Sequence, residues 1–256
     1  MFWFRKSKPA RQGDVKGIVN LTSGYNVREL GGYDTPYGRT RNHRYLRSGG
    51  ILGLSRQDAE YLRSSYGVRR VLDLRGELEV GGGDGILPTL PGVEYKNVQL
   101  YDFDLSDPKL DRPDNAGGYL ASNYFTMLAN RDAICEIFDY FATAPADCCV
   151  LFHCAAGMDR TGVTAMLLLG LCDVARDVVV ADYAYSFGYL GEVNAAIFAG
   201  AGDARHKVRQ DLADRITAIS TVYDRLIDTY GSVRSYLTDA GVSKAQLEAA
   251  RRHLLG

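Results

Sequence analysis

The sequence predicts an α/β fold, with a central, mostly parallel sheet flanked by helices and a helical region at the C-terminal end. Short apolar segments alternate with amphipathic helical segments through roughly the first two thirds of the chain, and the last third has helical periodicity almost throughout. A chain of 256 residues with 46% hydrophobic residues can form one domain with a sizeable core. We therefore expect a flexible tail at 1–17 and a single domain at 18–256.

Turn and cap residues set the predicted element boundaries. Ser55 is a suitable N-cap for a helix over 56–65, and Gly67 follows its end. A hairpin is expected over 33–47. The other strands are expected at 68–75, 93–100 and 148–152, and the other helices at 118–130, 131–143, 161–171, 177–186, 187–199, 204–230, 232–239 and 243–255.

The loop between the strand at 148–152 and the helix after it predicts a phosphate site. Cys154 ends the strand, five residues follow, and Arg160 lies at the start of the helix. A tight loop that ends at a helix N-terminus directs backbone N–H groups and the positive end of the helix dipole toward an anion. Gly157 allows a tight turn, and the guanidinium of Arg160 can hold two phosphate oxygens at once.

The same electrostatic field would stabilise a thiolate at Cys154, and a thiolate that faces a bound phosphate is a nucleophile. Attack on phosphorus would form a cysteinyl-phosphate, which water would then hydrolyse. The alternative is that Cys154 is only a small buried hydrophobic residue; its place between strand and helix favours the nucleophile. The phosphate-binding residues are expected to be Ala155, Ala156, Gly157, Met158, Arg160 and Thr161, the last of which could also hydrogen-bond the sulfur.

Composition excludes several classes of function. The formal net charge of −1 gives no reason to expect a nucleic acid partner, and no apolar stretch reaches the ~20 residues of a membrane span. The four histidines are scattered, so no metal or cofactor is predicted. Five cysteines without framework spacing indicate a reduced compartment. We expect a cytoplasmic protein, or one exported without a secretory signal peptide, of undetermined oligomeric state.

The segment His153-Cys-Ala-Ala-Gly-Met-Asp-Arg-Thr-Gly162 resembles the signature of the cysteine-dependent tyrosine phosphatases. Its Asp-Arg-Thr-Gly ending is similar to the bacterial branch of secreted, sometimes multi-specific members. Two upstream stretches, 26–33 and 71–75, extend the likeness from about residue 20 to the end of the chain. The resemblance implies hydrolysis of phosphotyrosine in protein substrates. One departure is Met158, where the branch usually carries lysine.

The resemblance also suggests roles for further residues. Asp159 is implied as the general acid that protonates the leaving phenolate; its rivals are Asp73 and three acidic residues of a long loop, Asp102, Asp104 and Asp114, and the alternative is that Asp159 only orders the loop. His153 would hold the loop by hydrogen bonds. Asp73 and Arg75 are expected to support the site because they end a parallel strand beside it, and the resemblance implies a supporting role for Asn26 and Arg28, just before a Gly-Gly turn.

Two other functions remain open. One is a phosphoinositide or broad-specificity phosphatase with the same nucleophile, which the lack of a cation at position 158 disfavours. The other is a catalytically silent phosphate-binding module. Glu77 and Glu79 are expected on a solvated face. A set of aromatic residues could form a lid or simply pack the helical layer: Tyr183, Tyr185, Phe187, Tyr189 and Phe198.

Overall fold

The computed structural model describes residues 17–101, 116–197 and 202–256. Its strands are β1 (Arg28–Glu29), β2 (Asp34–Thr35), β3 (Gly38–Arg39), β4 (Tyr45–Ser48), β5 (Val68–Asp73), β6 (Glu94–Asn97) and β7 (Cys149–His153). Its helices are α1 (Arg56–Ser65), α2 (Glu77–Val80), α3 (Ala116–Ala129), α4 (Arg131–Ala142), α5 (Asp159–Leu171), α6 (Arg176–Ile197), α7 (Gly202–Tyr230), α8 (Val233–Asp239) and α9 (Lys244–Leu255).

Five strands form the central sheet in the order β1-β4-β7-β5-β6. Strands β4, β7, β5 and β6 are parallel, and only the short β1 is antiparallel to its neighbour. The central strand β7 is fully buried, which explains its continuous apolar sequence. The predicted α/β class with a mostly parallel sheet is therefore confirmed.

Side chains of β7 alternate between two hydrophobic clusters on opposite faces of the sheet. Val150 and Phe152 belong to the larger cluster, together with residues of α3, α4, α5 and the C-terminal helices. Cys149 and Leu151 belong to the smaller cluster, which α1 covers. This two-residue alternation is the ordinary geometry of a strand, and it buries both faces of the sheet.

Helix α5 is buried along nearly its whole length, from Arg160 to Leu171. It contacts the sheet as well as α3, α6, α8 and α9. A helix surrounded in this way has no face in contact with solvent, and beyond its first turn its sequence is accordingly almost entirely apolar. The start of α5, where Cys154 and the following loop lie, is thereby fixed by packing on every side.

Most predicted elements are present, and the differences have physical reasons. In the segment 33–47, expected as one hairpin, β2 and β3 form a short hairpin, whereas β4 joins the central sheet, where it pairs in parallel with β7 and is fully buried. The two helices expected over 177–186 and 187–199 form one continuous α6, which runs through Gly188 without a break. The expected tail at 1–17, except its last residue, and the acidic-loop residues Asp102, Asp104 and Asp114 lie outside the described residues.

Candidate active site

The loop after β7 turns sharply between Cys154 and Asp159, the first residue of α5. Gly157 has a φ of 68°, in the left-handed region that favours glycine. A Cβ on Gly157 would lie 2.4 Å from the Ser48 carbonyl oxygen and 2.5 Å from the Gly49 nitrogen. Glycine is thus required twice here, by the turn and by the close approach of the β4 end.

Two side chains from the edge of the sheet hold the backbone of this loop. The Asn26 amide Nδ2 donates to the carbonyl oxygens of Ala156 at 3.1 Å and Gly157 at 3.0 Å. The Arg47 guanidinium also donates to the Gly157 carbonyl, at 3.0 Å. These carbonyl groups therefore point outward, toward the residues that hold them.

The carbonyl of Ala155 is held in the same way. It accepts from the Gly50 N–H at 2.8 Å and from the Tyr25 hydroxyl. In a trans peptide the C=O and the next N–H point in opposite directions, and the described chain contains no cis peptide. The N–H groups of residues 156–158 consequently face the other side of the loop. No described residue accepts a hydrogen bond from them.

A fully buried cluster underlies these contacts. Asp182 on α6 pairs with Arg28, at 3.0 Å, and with Arg47; both arginine side chains are 0% exposed. Tyr33 donates to the same carboxylate at 3.0 Å. Arg28 also donates to the Asn26 side-chain oxygen. Arg28 thus contacts the loop only indirectly, through Asn26, whereas Arg47 contacts it directly.

The charges of this cluster shift one another's pKa values. Burial alone would raise the pKa of Asp182, but Arg28 and Arg47 together hold it below its ordinary value. Burial, and next the charge of Arg28, lower the pKa of Arg47 to about 10, which leaves Arg47 protonated at neutral pH. The cluster therefore contains two cations and one anion, all desolvated, with the arginines also bonded to neutral oxygens of the loop and of Ser186.

Arg160 is 4% exposed and lies in the first turn of α5. Its two terminal nitrogens contact the Glu79 carboxylate, one of them at 2.9 Å. Burial would lower the pKa of Arg160, but the Glu79 contact and the charge of Cys154 raise it. The expectation that Glu79 lies on a solvated face is wrong: α2 carries it back to the site, and its side chain is only 32% exposed.

Asp159 is held by residues from three helices. Its Oδ1 accepts from the Tyr124 hydroxyl at 2.5 Å, from Arg215 at 2.8 Å and from the Tyr183 hydroxyl at 3.3 Å. Its Oδ2 has no hydrogen-bond donor among the described residues. The carboxylate is therefore oriented by one oxygen, while the other is available for exchange of a proton.

Asp73 and Arg75 pair with each other. The Arg75 guanidinium donates to both carboxylate oxygens of Asp73. The two hydrogen bonds to Oδ2 measure 2.9 and 2.6 Å. Burial would raise the pKa of Asp73, but Arg75 lowers it. His153 lies beside them in the sheet register, and its Nε2 is 3.8 Å from the Asp73 carboxylate. Burial lowers the pKa of His153, so the ring is neutral at pH 7.

Two loop residues differ in where their side chains lie. Met158 is 3% exposed and packs in the larger hydrophobic cluster, so only its backbone is available to a ligand. Thr161 is buried, and its hydroxyl has no hydrogen-bond partner among the described residues. Of the aromatic residues considered as a lid, Tyr183 is buried against Gly162, while the side chains of Tyr189 and Phe198 lie outside the described residues.

The residues that the sequence missed come from distant segments. Arg47, Glu79 and Arg215 contact the loop or its charged residues, and Asp182 holds Arg47. None of the four lies in a recognisable motif. The one available signal was a charged residue inside an apolar strand or helix, as at Arg47 and Asp182. Among the described residues no group of His, Cys, Asp and Glu could hold a metal ion, and no helix could span a membrane.

A strand, a tight loop and a helix N-terminus, with a buried cysteine and arginine six residues apart, define a cysteine-dependent phosphatase. The model of the tyrosine phosphatase family matches residues 19–256. The chain belongs to this family.

Named relatives agree with this assignment. A tyrosine-protein phosphatase of Nostoc commune is 29% identical over 222 residues, which are 82% of this chain and 74% of the relative. The triple specificity protein phosphatase PtpB of Mycobacterium tuberculosis is 34% identical over 121 residues, 42% of this chain and 44% of that protein. The shared region with the latter is therefore less than half of either chain.

Proposed function

We propose that this protein tyrosine phosphatase removes phosphate from phosphotyrosine-containing proteins, with Cys154 as the nucleophile and Arg160 as the phosphate clamp. The carrying observation is the orientation of the loop backbone. Its carbonyl groups are all bonded outward, so that consecutive N–H groups are free on the side opposite their supports. Such a concave set of donors at a helix N-terminus is complementary to the oxygens of a phosphate.

The reaction follows from these positions. The Cys154 sulfur attacks phosphorus, the bond from phosphorus to the tyrosine oxygen breaks, and the departing phenolate takes a proton from Asp159. Arg160 and the loop N–H groups stabilise the charge on the three remaining oxygens. Water then attacks the cysteinyl-phosphate, gives its proton back to Asp159, and releases phosphate and the thiolate. Atoms and charge balance over the two steps.

Asp159 suits the role of proton donor because its free oxygen is the one not bonded to the tyrosines and Arg215. Phenolate is a poor leaving group, with a pKa near 10 in solution, so a proton delivered as the bond breaks accelerates the first step. The other supporting residues position the loop and do not contact the substrate. Asn26 and Arg28 act through the loop backbone. The strand ends beside the loop contribute Asp73, Arg75 and His153.

Burial of the nucleophile supports phosphotyrosine over phosphoserine as substrate. Cys154 is 2% exposed, so the phosphate must be carried inward on a long side chain. No lysine ammonium stands at position 158, and the Met158 side chain packs in the core. A site without this second cation suits a monophosphate better than a multiply phosphorylated inositol lipid.

The test compares turnover and ligand binding. Cys154→Ser should abolish hydrolysis of a phosphotyrosine peptide while keeping its binding, and Arg160→Ala should lose both. Cys135→Ser is the matched control and should keep full activity, because Cys135 is a half-buried cysteine of α4 that contacts the Ala240 carbonyl and not the loop. Appreciable turnover by Cys154→Ser would refute the mechanism. Phosphoserine peptide and phosphoinositide substrates in the same assay decide between narrow and broad specificity.

A further inference from the structure

A second basic cavity lies at the opposite end of the parallel strands from the catalytic loop. Arg44 immediately precedes β4, and its carbonyl accepts from the Val150 N–H at 2.9 Å, near the start of β7. Strands β4 and β7 run in parallel, and Cys154 follows the far end of β7. Val150 and Cys154 are four positions apart along the chain, which corresponds to about 13 Å at ~3.3 Å per residue of strand. The cavity is thus separate from the phosphatase site.

The cavity has a volume of about 340 Å³ and contains mainly basic and small side chains. Arg41, Arg44, Arg252 and His253 line it, and alanines make up most of the rest. No acidic residue is among its lining residues. The volume falls at the lower end of the range for small-molecule sites, and the small alanines leave the space between the guanidinium groups open.

The lining arginines are unusual in this protein because none has a carboxylate partner. Among the described arginines, those without a salt bridge are Arg41, Arg44, Arg56, Arg225 and Arg252. Three of these five converge on one cavity. The acidic residue next to the lining residue Ala146 is Asp147, and it is already paired with Arg69 at 2.5 Å.

Helix ends explain only part of this positive charge. Helices α4 and α9 end at Ala142 and Leu255, beside the cavity, and basic residues commonly lie at helix C-termini. Each helix end corresponds to roughly half a negative charge, so two ends offset about one arginine. Burial, and next the charge of Arg44, lower the pKa of His253, so its ring adds no charge at pH 7. The α-carboxylate of Gly256, which also lines the cavity, offsets about one more, so about one positive charge remains without a counter-charge.

We propose that this cavity, defined by Arg41, Arg44 and Arg252, binds a small phosphorylated molecule. Planar guanidinium groups bind phosphate oxygens in pairs, and three of them can surround two phosphate groups. The ligand is distinct from the substrate of the catalytic site, because the cavity holds no nucleophile and opens at the other end of the sheet. Its source is either a free metabolite or the headgroup of a phosphorylated lipid.

The experiment measures binding of inositol trisphosphate and of pyrophosphate by titration calorimetry, in an Arg160→Ala background that removes the catalytic phosphate clamp. The test variant adds Arg41→Gln and Arg252→Gln, two exposed arginines of the cavity. The matched control adds Arg56→Gln and Arg225→Gln, which are equally exposed, equally unpaired and outside the cavity. Both double variants change the net charge equally, so they separate a defined site from general attraction.

We expect one binding site in the Arg160→Ala protein, weakened about tenfold or more in the cavity variant and less than about twofold in the control, since each lost guanidinium removes a charge-assisted contact. Equal weakening in both variants, or no binding in the parent, would overturn the proposal. Circular dichroism verifies that both variants are folded. Sedimentation with phosphatidylcholine vesicles, with and without a phosphatidylinositol bisphosphate, identifies the source: cavity-dependent vesicle binding indicates the headgroup, and soluble binding alone indicates a free metabolite.

Discussion

Two neighbouring residues of α6 serve two different arginine–carboxylate clusters. Asp182 holds Arg28 and Arg47 in a cluster whose side chains are at most 1% exposed. Tyr183, the next residue, contacts Asp159, which pairs with Arg215; these two side chains are 18% and 26% exposed. The buried cluster supports the loop backbone, whereas the open cluster orients a side chain that must exchange a proton with substrate and water.

The difference in burial shows why one carboxylate can only hold the loop backbone while the other can exchange a proton. A carboxylate that is fully enclosed by two guanidinium groups cannot gain or lose a proton without an uncompensated charge. A carboxylate at the rim of the site, with one free oxygen, can. Different side chains of α6 contact the two clusters, so a single substitution can disturb one cluster and leave the other in place.

The largest expected effect is on stability, from Asp182→Ala. This change leaves two buried arginines without their anion, and breaking a buried pair in this way costs about 3–5 kcal/mol. The free energy of unfolding from urea denaturation measures it. Asp34→Ala is the control, because Asp34 pairs with Arg39 on the surface and such pairs contribute about 0–1 kcal/mol. Similar losses in both variants would contradict the distinction drawn from burial.

Asp159→Asn should lower the rate rather than the stability. We expect about a hundredfold fall in turnover of phenyl phosphate, whose leaving group needs a proton, and a much smaller fall for para-nitrophenyl phosphate. The alkaline limb of the pH–rate profile should also disappear. If both substrates slow equally, Asp159 only orders the loop, and a residue of the acidic loop is the better candidate for the acid.

Glu79→Gln tests a third carboxylate, which is partly exposed and contacts Arg160. The hydrogen bond from Arg160 holds the pKa of Glu79 below its ordinary value, although burial acts in the opposite direction. The pair is therefore ionised at neutral pH. Glutamine keeps the size but loses the charge, and the guanidinium becomes less well oriented. We expect kcat/KM to fall about tenfold at unchanged folding stability, on the scale of one lost charge-assisted contact. An increase in kcat/KM would show instead that Glu79 competes with phosphate.

An effect confined to high pH is expected at Glu29, which follows Arg28 in β1 but has no arginine partner among the described residues. Burial raises the pKa of Glu29 to about 7, from 4.5. The folded state therefore prefers the protonated form: the stability that Glu29 allows is present below pH 4.5 and is lost as the pH rises through 7. Glu29→Gln should raise the free energy of unfolding at pH 8 by at most about 3 kcal/mol, the equivalent of the full pKa shift, and leave it nearly unchanged at pH 4.5. An equal change at both pH values would exclude titration of Glu29 as the cause.

Elements with strong local signals could be predicted from the amino-acid sequence. Helix α1 has the predicted bounds, and its cap is present, with the Ser55 hydroxyl accepting from the Asp58 N–H at 3.1 Å. Strand β7 and helix α5 follow from apolar runs, and the loop between them from Cys154, Gly157 and Arg160. These features depend on neighbours in the chain, and a local pattern can therefore report them.

The residues that hold that loop could not be predicted, because they depend on the fold. Arg47 and Asp182 are 135 positions apart, and Arg160 and Glu79 are 81 apart, so no periodicity or cap links them. Their pairing depends on the parallel placement of β4 beside β7 and on the packing of α6 against α5. A charged residue in an apolar segment indicates that a partner of opposite charge lies nearby in the fold, because burial of an isolated charge is too costly. The identity of that partner is a property of the folded chain alone, since it is set by which distant segments meet around the loop.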